Sequence, residues 1–177
     1  MKRTEIEIYE FNTEIFNLWG KQWMLLTSGV LENDSFNCMT VAWGSIGVMW
    51  NKPFVQVVVR PTRYTNEFME KFDTFTLSAF SEEYRKDLSY LGRVSGKHEK
   101  KLEKTALTVI PSIKIKCPSY AEAELVIECR KIYSSEFMPE DFIDNTILEN
   151  YPKKDFHKIY YGEILYIGGA DNFRKIN

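Results

Sequence analysis

The chain lacks any apolar run near the roughly 20 residues that a membrane-spanning helix needs. It also lacks a charge of one sign: 23 Lys and Arg against 25 Asp and Glu leave a formal net charge of −2, which argues against a basic nucleic-acid surface. Cysteine is sparse. Cys38, Cys117 and Cys129 are unevenly spaced with no CxxC pair, so neither a disulfide framework nor a zinc ribbon is expected. An odd count behind an N-terminus (MKRTEIEIYEF) with no apolar segment or cleavage site predicts reduced thiols and a cytoplasmic location. The two histidines, His98 and His157, have no second His or Cys at ligand spacing, so no metal site is expected. Three chemical signatures are missing as well: a GxGxxG turn, a GxxxxGK[ST] loop and a GxSxG elbow.

What is abundant is aromatic surface: 12 Phe, 10 Tyr and 4 Trp make up 15% of 177 residues. Such side chains fill cores and also line sites for flat ligands. The length suits one domain spanning residues 1–177, with no repeat or linker to divide it. Alternation over Glu5 to Phe11, a compact apolar run over Trp23 to Val30 and the β-branched run Phe54 to Arg60 predict strands, with further strands over Cys38 to Trp43, Thr74 to Phe80, Ile113 to Lys116, Ala123 to Ser134 (bent near Cys129) and Lys158 to Ile167. Helices are expected after Asn12 or Thr13, over 66–73, Glu82 to Leu91 and Lys97 to Thr105, with a short one at Asp144 to Glu149. Strands outnumber helices without a βαβ rhythm. That points to a mainly β fold with peripheral helices, an antiparallel barrel rather than a doubly wound sheet.

The stretch from Asn37 to Thr65 organises the functional reading. It ends on Arg60-Pro61-Thr62-Arg63-Tyr64-Thr65, where a Val-rich strand hands over to a helix. Free N–H groups and the positive end of a helix dipole favour an anion there. Guanidinium forks suit phosphate oxygens, although the same arginines can pair with surface carboxylates. Thr65 is placed either to cap the helix or to donate to a phosphate. In the strand before it, Cys38, Thr40 and Ala42 share one face while Met39, Val41 and Trp43 share the other. Cys38 reads as a small buried hydrophobe that can line a pocket, with no partner thiol nearby. Ser95-Gly96-Lys97 opens the lysine-rich stretch, which reads as a solvated face unless Ser95 and one lysine, Lys100 among the candidates, approach an anion.

At Asn37, Met39-Thr40, Trp43-Gly44, Trp50 and Arg60-Pro61-x-Arg63-Tyr64-Thr65 the sequence resembles the flavin reductase-like, FMN-binding split-barrel family, and within it the flavoredoxin-type branch. Phe75-Thr76-Leu77-Ser78, Ser95-Gly96-Lys97 and His157-Lys158-Ile159-Tyr160-Tyr161-Gly162-Glu163-Ile164 extend the resemblance from about Trp23 to Ile167. It implies a Greek-key split β-barrel, a homodimer with FMN near the interface, and electron transfer from NAD(P)H to flavin or onward to an acceptor, a redox protein among them. It further implies flavin contacts at Asn37, Met39 and Thr40 with Trp43 close by, phosphate contacts from Arg60, Arg63, Tyr64 and Thr65, and a segment with Ser95 and Lys100 near the cofactor; Cys38 is expected to line the pocket. The alternative is a protein that holds or carries FMN without turnover. No residue in these stretches stands out as a catalytic acid, base or nucleophile, so the catalytic residues stay unassigned.

Overall fold

The computed structural model describes residues 2–175. Among the described residues there are ten strands: β1 (Thr4–Glu5), β2 (Met24–Val30), β3 (Ser35–Val41), β4 (Gly44–Met49), β5 (Lys52–Val59), β6 (Thr74–Ala79), β7 (Val109–Ile110), β8 (Ser119–Tyr120), β9 (Leu125–Glu136) and β10 (Lys158–Gly169). Three α-helices accompany them: α1 (Ile15–Asn17), α2 (Tyr64–Lys71) and α3 (Arg85–Arg93). Seven strands form one antiparallel path in the order β3-β2-β6-β9-β10-β5-β4, with β1 added beside β10. Its end strands, β3 and β4, are joined by Ala42-Trp43 but not paired to each other, so the sheet is a Greek-key split barrel.

Period-two alternation divides the strands between two cores. Met24, Leu26, Met39, Val41, Val55, Val57, Val59, Phe75, Leu77, Ile127 and Cys129 point into the barrel. Leu25, Cys38 and Val126, one residue out of step, point instead to a second core beneath α3, with Phe80, Leu88, Leu91 and Tyr120. The irregularity of β9 falls three residues beyond Cys129, where Ile132 drops out between Tyr161↔Tyr133 and Gly162↔Lys131; opposite Cys129 it is β10 that bulges, at Leu165.

Several expectations are corrected. Glu5 to Phe11 is strand only at Thr4–Glu5; a 3-10 turn follows at Ile8–Glu10, although Ile6 is still buried and its N–H reaches the Ile167 carbonyl. Between the expected strands Cys38 to Trp43 and Phe54 to Arg60, where two glycines suggest only a connection, lies a full strand, β4, hairpinned to β5 through Trp50 and Asn51, both at positive φ (54° and 57°). That pair of left-handed residues is the tight turn whose twist matches the flanking strands. Lys97 to Thr105 is not a helix; only the 3-10 turn Lys101–Lys104 forms. Ile113 to Lys116 alternates like a strand but is a bent loop. The buried Glu128 carboxylate accepts the Ile113 and Lys114 N–H groups at 2.7 Å each, which takes them out of any ladder. The helix expected over 66–73 starts two residues earlier. Its N-cap is Arg63, and Thr65 does not cap it.

Candidate functional site: a cationic notch beside an open strand edge

Where β5 ends, Arg60 to Arg63 turn sharply, the Arg63 N–H donating to the Arg60 carbonyl at 3.0 Å. Arg63 is extended (φ −80°, ψ 130°) and no side chain caps α2, so the first N–H groups of the helix stay free of a side-chain acceptor. The end of α3 and the 94–96 turn face them. Between the two lies a notch of about 70 Å³, lined by Asn37, Arg63, Arg93, Ser95, Gly96 and Lys101 among others. Three of its lining residues are cations and none is a carboxylate.

Arg63 Nη2 donates to the Gly92 carbonyl, which holds the guanidinium across the notch. Burial, and then the nearby Arg60 charge, lowers its pKa. Thr65 is 1% exposed and fully engaged: its hydroxyl accepts from Asn37 Nδ2 at 2.8 Å and donates to the Cys38 carbonyl at 3.1 Å. Asn37 Oδ1 lies against Gly96, where no Cβ fits. Ser95 Oγ accepts the Lys97 N–H at 3.3 Å. Lys100, a candidate from the sequence, points to solvent and pairs with Glu103 at 3.2 Å.

Its neighbour is the residue that sequence reasoning missed. Lys101 is 4% exposed and donates to the carbonyls of Cys38 (2.6 Å), Leu91 (3.1 Å) and Val94 (3.1 Å). Burial lowers its pKa, while the Cys38 thiol raises it and Arg63 lowers it further. Nothing separates Lys101 from Lys97, Lys100 or Lys104 in the sequence, since all four sit in one polar run. Arg93, the last residue of α3, is a second cation of the notch absent from the sequence-based candidates.

The second part of the site is the outer edge of β3. The Cys38 carbonyl accepts from Thr65 and Lys101, so it points away from β2. In an antiparallel pair the N–H and C=O of one residue face the same side, and alternate residues repeat it. The N–H groups of Cys38 and Thr40 therefore face away from β2; Cys38 is fully buried, its side of the edge taken by Thr65 and Lys101, and half-buried Thr40 holds the open part of the edge. The Cys38 thiol faces the second core, fully buried, and burial raises its pKa. The Thr40 hydroxyl donates to the Leu88 carbonyl.

Beyond Thr40 the edge meets a groove of about 170 Å³ lined by Met39, Thr40, Trp43, Val58, Arg60 and His157. Trp43 is 51% exposed, its ring centroid 5.3 Å from that of His157. His157 Nδ1 lies 2.9 Å from the Tyr151 hydroxyl. Burial, then the Arg60 charge, lowers the His157 pKa to about 4 against a smaller opposing pull from Asp155, which leaves the imidazole neutral at pH 7. Arg60 donates to Asp155 Oδ1 at 2.8 Å and to the Asn150 carbonyl at 2.7 Å, and lies 5.1 Å from the Tyr151 ring centroid. The structure thus separates two arginines that the sequence sets side by side. Arg63 lines the notch and lacks a carboxylate partner among the described residues, whereas Arg60 lines the groove and has one. Tyr64 stands beside the notch with its ring edge-on to Phe68, centroids 5.2 Å apart.

Comparison with known proteins places this architecture. An uncharacterized protein of Archaeoglobus fulgidus is 28% identical over 150 residues, covering 85% of this chain and 73% of its own. One from Pyrococcus abyssi is 32% identical over 131 residues, covering 73% and 70%. Among solved structures, flavoredoxin of Desulfovibrio vulgaris superposes with a TM-score of 0.66 at 23% identity, covering 87% of this chain and 72% of that one. A Streptomyces globisporus NADH:FAD oxidoreductase, in complex with NAD and FAD fragments, does so with a TM-score of 0.63 at 16% identity, covering 86% and 77%. At these identities the structural likeness concerns the fold. Residues 20–173 match the flavin reductase like domain, and the chain belongs to that family.

Proposed function

We propose that the protein is an FMN-binding oxidoreductase that passes electrons from NAD(P)H to flavin or onward to an acceptor. One observation carries this reading: a notch with three cationic residues and, among the described residues, no carboxylate opens beside the outer edge of β3, where the Thr40 N–H faces away from β2. A phosphate dianion fits the notch because Arg63 and Arg93 supply guanidinium forks and the start of α2 supplies N–H donors. A flavin ring fits the β3 edge because its carbonyl and nitrogen acceptors match the N–H group of half-buried Thr40. Exposed Trp43 offers apolar contact to its plane.

When bound, FMN supplies the hydride acceptance and electron release. The protein's own groups bind and orient. Arg63 and Ser95 hold the phosphate end, and Asn37, fixed by Thr65, sets the path between notch and edge. Neutral His157 offers an uncharged polar contact beside Trp43. Hydride transfer from a stacked nicotinamide needs close contact rather than a side-chain base, consistent with a groove of apolar, aromatic and neutral groups around one balanced ion pair. Exposed Trp43, Val48, Met49 and Trp50 lie on and around the β4 hairpin and suit a homodimer contact next to the flavin. Flavoredoxin and NADH:FAD oxidoreductase neighbours support the redox reading.

Anaerobic mixing of the FMN-loaded protein with NADH and with NADPH tests it. Loss of the oxidised-flavin spectrum with one donor is the expected result. A flavin that stays oxidised with both donors and with reduced protein carriers makes the protein a holder of FMN rather than an enzyme.

A further inference from the structure

We infer that Lys101 is the positioning residue of the anion notch: without touching the ligand, its buried ammonium fixes the backbone walls of the notch and gives it a preference for phosphate. The inference rests on the FMN reading above. A lysine ammonium carries three donors, and all three are occupied by the carbonyls of Cys38, Leu91 and Val94. Those carbonyls belong to three segments: β3, the last turn of α3 and the turn leading to Gly96. One cation therefore ties together the strand edge, the helix end and the loop that meet around the notch. Leu91 and Val94 stand at the C-terminus of α3, where orphan carbonyls attract positive charge.

A buried charge ordinarily recruits a carboxylate. Lys101 has none among the described residues: Glu99 is engaged by Lys104 and Glu103 by Lys100. The charged groups around it include Arg63 and Arg93, both lining the same notch. The notch thus gathers three cations with no carboxylate among the described residues that line it, and burial lowers the pKa of Lys101 and of Arg63 alike. A phosphate in the notch is the missing counter-charge for both. An uncharged flavin without phosphate gains nothing from it.

The test is equilibrium titration of the full chain and of Lys101→Met and Lys101→Arg with FMN and with riboflavin. Wild-type protein is expected to prefer FMN. Lys101→Met loses that preference by about tenfold or more, the scale of removing one unit charge from a partly buried site, while riboflavin binding holds. Lys101→Arg, which keeps the charge, recovers most of the preference. An unchanged FMN-to-riboflavin ratio in Lys101→Met overturns the inference and leaves the FMN reading standing. Equal loss of both flavins in both variants, or failure of both to fold, assigns Lys101 to folding and overturns it too. A wild-type protein that binds neither flavin removes the FMN reading and this one with it.

Discussion

The Asn37 amide donates to the Thr65 hydroxyl at 2.8 Å, and that hydroxyl donates onward to the Cys38 carbonyl at 3.1 Å. This two-bond relay fixes the first turn of α2 to the edge of β3. Replacing Thr65 by Val keeps the shape and leaves a buried amide and carbonyl short of a partner, a loss of about 1–3 kcal/mol. Chemical denaturation is expected to show that loss, and flavin titration a matching fall in affinity, because Asn37 is no longer held.

Arg63 and Arg60 are expected to behave differently despite their closeness in sequence. Arg63→Ala removes a cation of the notch and should weaken FMN by roughly 1.5–3 kcal/mol, with riboflavin little changed. Arg60→Ala breaks the pair with Asp155 at the groove, so both flavins should weaken alike. Titrating both variants with both ligands checks the division. Equal behaviour of the two arginines contradicts it.

Gly96 and Gly20 form a second contrast. A Cβ at Gly96 would overlap Asn37 Oδ1, whose amide nitrogen is already held by Thr65, while a Cβ at Gly20 meets nothing within 4 Å. Gly96→Ala should therefore lower both thermal stability and FMN affinity. Gly20→Ala should leave affinity unchanged and stability equal or raised by up to about 1 kcal/mol. Thermal melts with and without FMN separate the two.

His157 gives a pH signature. Its pKa is lowered by burial to about 4 in the folded protein, against 6.5 ordinarily, so the unfolded chain binds more protons between those values. Stability from this group is full above pH 6.5 and is lost as pH falls from 6.5 towards 4. The carboxylates whose pKa values are lowered, Glu70, Glu163 and Asp155 among them, add their own loss at and below the ordinary carboxylate range. Between pH 5 and 6.5 the melting temperature should drop mainly through His157. In His157→Gln that part of the profile should flatten.

Much of this arrangement was legible in residue order. Val55, Val57 and Val59 announce β5, and the Pro61 turn announces the start of α2 nearby. Other parts were hidden for physical reasons. Two glycines made β4 look like a connection, and a left-handed Trp50 is an unusual first residue for a tight hairpin turn. Ile113 to Lys116 alternates as a strand does, yet a carboxylate fifteen residues away in sequence captures its N–H groups. The Thr65 hydroxyl had a local use available as a cap and took a distant one on β3. Lys101 was the deepest omission, since an inward-facing lysine differs from its neighbours only through the carbonyls that three separate segments bring to it.

The central claim, that the cationic notch seats the phosphate and the β3 edge the ring, is tested most directly by the crystal structure of the FMN complex. The account predicts phosphate density bounded by Arg63, Arg93, Ser95 and Gly96, with the ring along the β3 edge at Thr40 towards Trp43. A phosphate bound away from this notch, or a ring that leaves the β3 edge open, contradicts it.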